Sequence, residues 1–170
     1  MLTRRSLVAG AAAGCLAPRA FAADEPRALH FDNVHTGERL EAVYWRGGFD
    51  EAALAAINHL LRDYRNDEVR AIDTRLLDLL HRLGQRVQTR SPFRVISGYR
   101  SPATNAMLHA QSNGVASHSL HMQGMAIDIV LEDVALADLR QAALDLQGGG
   151  VGYYPASDFV HVDVGRVRRW

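Results

Sequence analysis

The chain has 170 residues, 48% of them hydrophobic and 22% charged, with 19 basic and 19 acidic side chains in balance. That is one domain's worth of sequence with room for a full core, and the composition excludes intrinsic disorder. No window holds the roughly 18 consecutive apolar residues of a membrane span, and there is no internal repeat or low-complexity tract.

The N-terminus reads as an address, not as fold. Thr3-Arg4-Arg5-Ser6-Leu7 is a twin-arginine start, followed by a weakly apolar run over residues 7–16 and by Ala20-Phe21-Ala22. Small residues at positions 20 and 22 suit signal peptidase, so residues 1–22 are expected to be a signal of the twin-arginine export type. The mature chain, residues 23–170, is then a single periplasmic domain. A lipoprotein site at Ala12-Ala13-Gly14-Cys15 is a weaker alternative, because the usual leucine is missing from its first position.

Losing Arg4, Arg5 and Arg19 and no acid leaves 16 arginines against 19 acids, a formal charge of −3. Such a surface offers no basic field to nucleic acid. Cys15 is the only cysteine and leaves with the signal, so no thiolate serves as nucleophile or metal ligand. A monomer is expected.

In chain order, residues 29–32 and 40–45 read as strands joined by a glycine-bearing turn through His35-Thr36-Gly37-Glu38. Gly47-Gly48 breaks the chain, and Asp50 can cap a helix over residues 51–64 with Leu54, Ile57, Leu60 and Leu61 as its apolar stripe. A second helix is expected from about Asp73, burying Leu76, Leu77, Leu79, Leu80 and Leu83. Residues 93–97 read as a strand, then a turn at Gly98-Tyr99-Arg100-Ser101-Pro102 into a short helix through Leu108. A polar loop over residues 111–119 precedes a strand over 126–130 and a helix over 135–146 ended by Gly148-Gly149-Gly150. Residues 151–154 and 159–164 look like paired strands across a Pro155 turn. Two scaffold helices followed by a mostly antiparallel sheet give an α+β fold.

Chemistry concentrates in the second half. His121 precedes a strand and stands near Gly124, which permits close backbone approach. Asp128 lies in Ala126-Ile127-Asp128-Ile129-Val130, where an unpaired carboxylate would be costly. His161 is flanked by Val160 and Val162. Two imidazoles and one carboxylate make a catalytic zinc set, with the fourth position left to water whose pKa falls to about 7. Eight histidines are present, so the His-Asp spacing alone is weak, and a buried histidine is more often a packed core residue. His118, three before His121, reads as exposed or substrate-side; the other five histidines show no partner pattern.

Ser119-x-His121-x-x-Gly124-x-Ala126-x-Asp128 with a later strand histidine resembles the D-Ala-D-Ala metallopeptidase superfamily of lysostaphin-like and Hedgehog-like zinc folds. Val43-Tyr44-Trp45, residues 57–63, Ser97-Gly98-Tyr99-Arg100-Ser101, residues 120–124, residues 149–154 and the tail from Phe159 through Trp170 are similar to its murein endopeptidase K group. The resemblance implies a Hedgehog/DD-peptidase-like fold and a periplasmic zinc endopeptidase acting on peptidoglycan stem peptides, with His121, Asp128 and His161 as zinc ligands. It also implies a substrate-binding position at Ser119, and at Arg100 an arginine for the scissile carbonyl or a substrate carboxylate. The fork geometry of a guanidinium suits that task.

The pattern departs from the superfamily at the catalytic base. Relatives place a histidine two before the last ligand or a glutamate three before it; here Phe159 and Asp158 stand there. Asp163 shares a strand face with His161, because side chains repeat with period two, and is expected as base or as an orienting partner, with Asp158 in the Pro155 turn as the alternative base. Tyr153 and Tyr154 are groove or core aromatics. Two other functions stay open: a D,D- or L,D-carboxypeptidase that trims stem peptides, and a non-catalytic wall-binding module that keeps the zinc fold.

Overall fold

The computed structural model describes residues 25–111 and 116–170. The segment expected to be an export signal, residues 1–22, Cys15 within it, and part of the polar loop before Ser119 lie outside the described residues. Those residues form one seven-stranded sheet and four α-helices. Strands β1 (Arg27–Asn33) and β2 (Arg39–Trp45) make the expected hairpin. Helix α1 (Glu51–Leu60) starts where the Asp50 carboxylate accepts the amide of Ala53, and α2 (Thr74–Val87) where Asp73 accepts that of Arg75. Strand β3 (Phe93–Ser97) leads into α3 (Pro102–Gln111), and β4 (Ala126–Val130) into α4 (Leu136–Leu146). Strands β5 (Gly150–Tyr154), β6 (Phe159–Asp163) and β7 (Arg168–Arg169) complete the chain.

Strand order is β2-β1-β3-β4-β6-β5-β7, antiparallel except for the β1–β3 and β5–β7 pairs. The architecture is α+β with a mostly antiparallel sheet. Cross-strand partners share a face, so the ladders sort the side chains into rows. Val95, Ile129, Val160 and Tyr153 form one row and Ile127, Val162 and Val151 another. Their aliphatic members are buried in one core with the leucines of α2 and with Leu139 and Ala143 of α4, and Tyr153 packs partly buried against it.

The intervening row is Ser97, Asp128, His161 and Gly152, one residue from each of four adjacent strands. A register shift between Val95 and Ser97 sets Ser97, and not Ile96, opposite Asp128. The extra residue in β3 thus re-aims a polar side chain toward the polar row.

Two expectations change and one element is new. Helix α1 stops at Leu60 instead of Tyr64, because Asp63 leaves the helical path to pair its amide with Glu68 and its carboxylate with the amides of Arg65 and Ser101. Strand β7 is too short to show a period in sequence, yet it closes the sheet edge beside β5. The helix over residues 136–146 is capped by Gln147 in a left-handed conformation, and Gly150 already belongs to β5.

Candidate metal centre

His121 comes to the row from outside the sheet. It sits in a 3₁₀ turn, Leu120–Gln123, whose first amide hydrogen bond is supplied by the Ser119 hydroxyl accepting from the His121 amide at 3.3 Å. Gly124 ends that turn at φ +67°, and a Cβ there would lie 2.4 Å from the carbonyl oxygen of Ala71. The site permits only glycine on both counts. The Gly124 carbonyl also accepts the amide of Asp73, tying the turn to the start of α2.

His121, Asp128 and His161 are 3%, 6% and 8% exposed. His121 Nε2 lies 3.2 Å from His161 Nδ1 and 3.3 Å from Asp128 Oδ1, and His161 Nδ1 lies 2.8 Å from the same oxygen. These three atoms form a triangle. Donors about 2.0–2.1 Å from a tetrahedral zinc stand about 3.3 Å apart, so the triangle has the size of one face of such a site.

The ring protons are placed from behind. His121 Nδ1 lies 2.7 Å from the carbonyl oxygen of Gly98, which only accepts, so Nδ1 carries the proton and Nε2 turns a lone pair inward. His161 Nε2 lies 3.2 Å from Asp163 Oδ2, which leaves Nδ1 to face the triangle. Two imidazole lone pairs and a carboxylate directed at one point call for a cation, either a metal ion or a proton. The hydrogen bonds and charges of His121 and His161 hold Asp128 well below the usual carboxylate range, although burial, the largest single influence, acts upward. Burial pulls His161 down, but Asp128 and Asp163 outweigh it and raise its affinity for a proton. The donor set fits a divalent metal.

Asp163 is fully buried. Its Oδ1 accepts the amides of Gly150 and Gly165 and Arg168 Nη1, while Oδ2 accepts Arg168 Nη2 at 2.7 Å. Burial pushes its pKa up, and His161, Arg168 and the two amides together push it further down. Both oxygens are engaged and neither lines the cavity in front of the triangle, a position at odds with a base acting on water. Asp158, the other expected base, is exposed in a left-handed conformation after the 3₁₀ turn Pro155–Ser157, also away from that lining.

The cavity has a volume of about 450 Å³. Besides the triangle, its walls include Ser119, Arg100, Tyr154 and Trp170. Arg100 Nη2 lies 3.8 Å from Asp128 Oδ2 and donates to Ser97 Oγ at 3.3 Å. Its Nε is buried with no hydrogen-bond partner among the described residues. Burial, the largest influence, and the charge of Arg65 lower its pKa against the pull of Asp128. Tyr153 faces away and packs under Arg140, whereas Tyr154 joins the cavity. Arg168 and Trp170 had no individual role assigned from sequence, although the tail that holds them carries part of the family resemblance.

A sequence profile described as peptidoglycan L,D-endopeptidase MepK matches residues 21–170. The Escherichia coli K12 peptidoglycan L,D-endopeptidase MepK is 48% identical over 146 residues, covering 85% of this chain and 80% of that protein. The Shigella flexneri protein of the same name shows the same identity and coverage. A Haemophilus influenzae relative, described as a probable peptidoglycan L,D-endopeptidase MepK, is 43% identical over 148 residues, covering 86% of this chain and 80% of its own length. The chain belongs to the peptidoglycan L,D-endopeptidase MepK family, a group within the D-Ala-D-Ala metallopeptidase superfamily.

Proposed function

We propose that the protein is a zinc-dependent L,D-endopeptidase that hydrolyses peptide cross-links in peptidoglycan. The single observation that carries the metal part is the triangle of His121 Nε2, Asp128 Oδ1 and His161 Nδ1, whose ring protons are held outward by Gly98 and Asp163. The substrate part rests on family membership and on relatives that bear this name over most of the chain. Work on peptidoglycan places the enzyme outside the cytoplasm, and the twin-arginine start over residues 1–22 is read as its route. The mature domain is residues 23–170, with a Hedgehog/DD-peptidase-like arrangement of sheet and helices. Among the described residues, no helix is long and apolar enough to cross a membrane.

Zinc, when bound, supplies Lewis-acid polarisation of a carbonyl and a water acidified to a pKa of about 7. The protein's own groups do the rest. His121, Asp128 and His161 hold the metal. Arg100 projects a charged fork beside Asp128 with an Nε–H unsatisfied among the described residues, and it binds a substrate carboxylate or the oxygen that gains charge as the amide is attacked. Ser119 shapes the cavity wall as a substrate-binding position while capping the turn that carries His121. Asp163 fixes the tautomer and orientation of His161, as a carboxylate behind a metal-bound imidazole does.

Digestion of purified cross-linked muropeptides by residues 23–170, followed by chromatography, tests this directly. The runs are zinc-loaded, chelator-treated and His161→Ala. Loss of cross-linked dimers in the zinc-loaded sample alone is expected. Trimming of monomers with dimers intact would assign a carboxypeptidase. A zinc-loaded protein that changes nothing would leave a wall-binding module.

A further inference from the structure

Tyr154 ends β5 at the cavity wall, paired across the ladder with Phe159 of β6. Its ring stacks on Phe159 with centroids 4.6 Å apart and planes 20° from parallel. Its phenolic oxygen accepts the indole N–H of Trp170 at 2.7 Å, and an indole nitrogen only donates, so the direction of that bond is fixed. Among the described residues, nothing accepts the phenol's own proton.

Trp170 is itself held in place. Its ring covers Gly152, where an added Cβ would stand 2.8 to 2.9 Å from the indole atoms. Arg168 lies 4.8 Å over its ring, and His161 is 5.2 Å from it between centroids. Its amide donates to the Val151 carbonyl and its carbonyl accepts the Tyr153 amide, which locks the tail to β5. Glycine at 152, in the row of the metal ligands, is therefore what admits an indole beside His161.

We propose that the Tyr154 hydroxyl, aimed by Trp170, is a substrate-binding donor that hydrogen-bonds a carbonyl or carboxylate oxygen of the stem peptide seated at the metal centre. The inference rests on the peptidase reading given above. A hydroxyl that accepts one hydrogen bond is polarised to donate another, and a ring fixed by stacking and by the indole loses little freedom when it does so. Tyr154 lies two residues along β5 from Gly152, the partner of His161. Two strand residues span roughly 6–7 Å, so the phenol meets a substrate group one or two positions from the cut and not the reacting carbonyl. Arg100 and Tyr154 then grip the peptide from two walls of one cavity. A contact made equally in the bound and transition states raises KM when lost and spares kcat.

The test is a double-mutant cycle on the zinc-loaded protein with Tyr154→Phe, Trp170→Phe and the pair. It reads KM and kcat on cross-linked muropeptides, Kd for a cleaved stem peptide, and zinc affinity. Tyr154→Phe is expected to raise KM and Kd about tenfold, the value of one hydrogen bond of about 1.4 kcal/mol, with kcat and zinc affinity unchanged. Trp170→Phe keeps a ring over Gly152 but loses the N–H. Its expected effect is about threefold in wild type and none in the Tyr154→Phe background. Unchanged KM and Kd in Tyr154→Phe would overturn the proposal, as would a Trp170→Phe effect of equal size in both backgrounds. A zinc-loaded wild type that binds stem peptide without cutting dimers overturns the proposed activity alone, because Kd still reads Tyr154. One that neither binds nor cuts overturns both.

Discussion

Asp163→Asn separates a base from a positioning residue. The side chain keeps its size, and an amide oxygen at the Oδ1 position still accepts the amides of Gly150 and Gly165. The amide nitrogen then occupies the Oδ2 position, where it meets Arg168 Nη2 at 2.7 Å and His161 Nε2 at 3.2 Å. A donor now faces two donors. His161 relieves the conflict by moving its proton to Nδ1, the atom 2.8 Å from Asp128 Oδ1, and that lone pair is lost to a metal. Removing the outer partner of a ligating histidine costs about 10- to 100-fold in metal affinity, or about 1.4–2.8 kcal/mol. The broken pair with Arg168, whose side chain is 30% exposed, adds only about 1 kcal/mol of lost stability after solvent screening. The assay is zinc competition against a chromophoric chelator, with hydrolysis measured at rising zinc. Weaker zinc binding with activity largely recovered at saturation is expected. Zinc affinity equal to wild type would refute the tautomer argument. Full occupancy without activity would make Asp163 the base after all.

Three further outcomes follow from the same structure. Gly152→Ala drives a methyl into the Trp170 ring, with contacts of 2.8 to 2.9 Å that force the indole outward; overpacking of this kind costs about 1–3 kcal/mol, and lower Tm with altered Trp170 fluorescence in a Trp45→Phe background would report it. Asp63 is 1% exposed, and although burial, the largest influence, raises its pKa, hydrogen bonds from Thr104, Ser101 and Arg65 hold it below its ordinary value. A depressed carboxylate stabilises the fold above its unfolded value of about 3.9 and loses that contribution as pH falls through the folded value. The Tm gap between wild type and Asp63→Asn should therefore be flat from about pH 7 to 5 and shrink below about pH 4; a gap that widens in acid contradicts the assignment. Arg100→Lys keeps the charge but loses the fork, and kcat/KM should drop by at least about tenfold with zinc affinity intact.

The clustering of His121, Asp128 and His161 was legible because its residues break a rule. In Ala126-Ile127-Asp128-Ile129-Val130 one carboxylate interrupts an apolar strand, in Phe159-Val160-His161-Val162-Asp163 an imidazole and a carboxylate do, and each interruption needs a partner. Helix α2 was legible from its five leucines and from Asp73, which caps it as expected. The end of α1 was not, since Leu61 continues the apolar stripe and is buried in the core although the helix has already ended. Only the tertiary partners of Asp63, chiefly the Ser101 amide, explain the departure. Period two placed Asp163 beside His161 correctly, but a strand face does not reveal that Gly150, Gly165 and Arg168 come from other segments to occupy both oxygens.

Those other segments give the C-terminal tail its function. Arg168 holds Asp163, Asp163 holds His161, and Trp170 covers the same ring from the cavity side. The Asp163–His161 link lies within β6, but the Arg168 and Trp170 links reach it from beyond β5, so they depend on strand order, which periodicity within one strand cannot supply. The glycine-rich run before Val151 is best understood in the same way. In sequence it reads as a helix stop, but within the sheet its last member, Gly150, belongs to β5, and Gly152 further along leaves the floor on which the tail lies. A tail with only two strand residues would fray if left exposed. Here it is pinned by ladder bonds to Val151 and Tyr153 and by an ion pair to a fully buried carboxylate. Loosening it therefore acts on His161 through Asp163 and on Tyr154 through the indole, so damage at the tail should reach metal affinity and substrate affinity by separate routes.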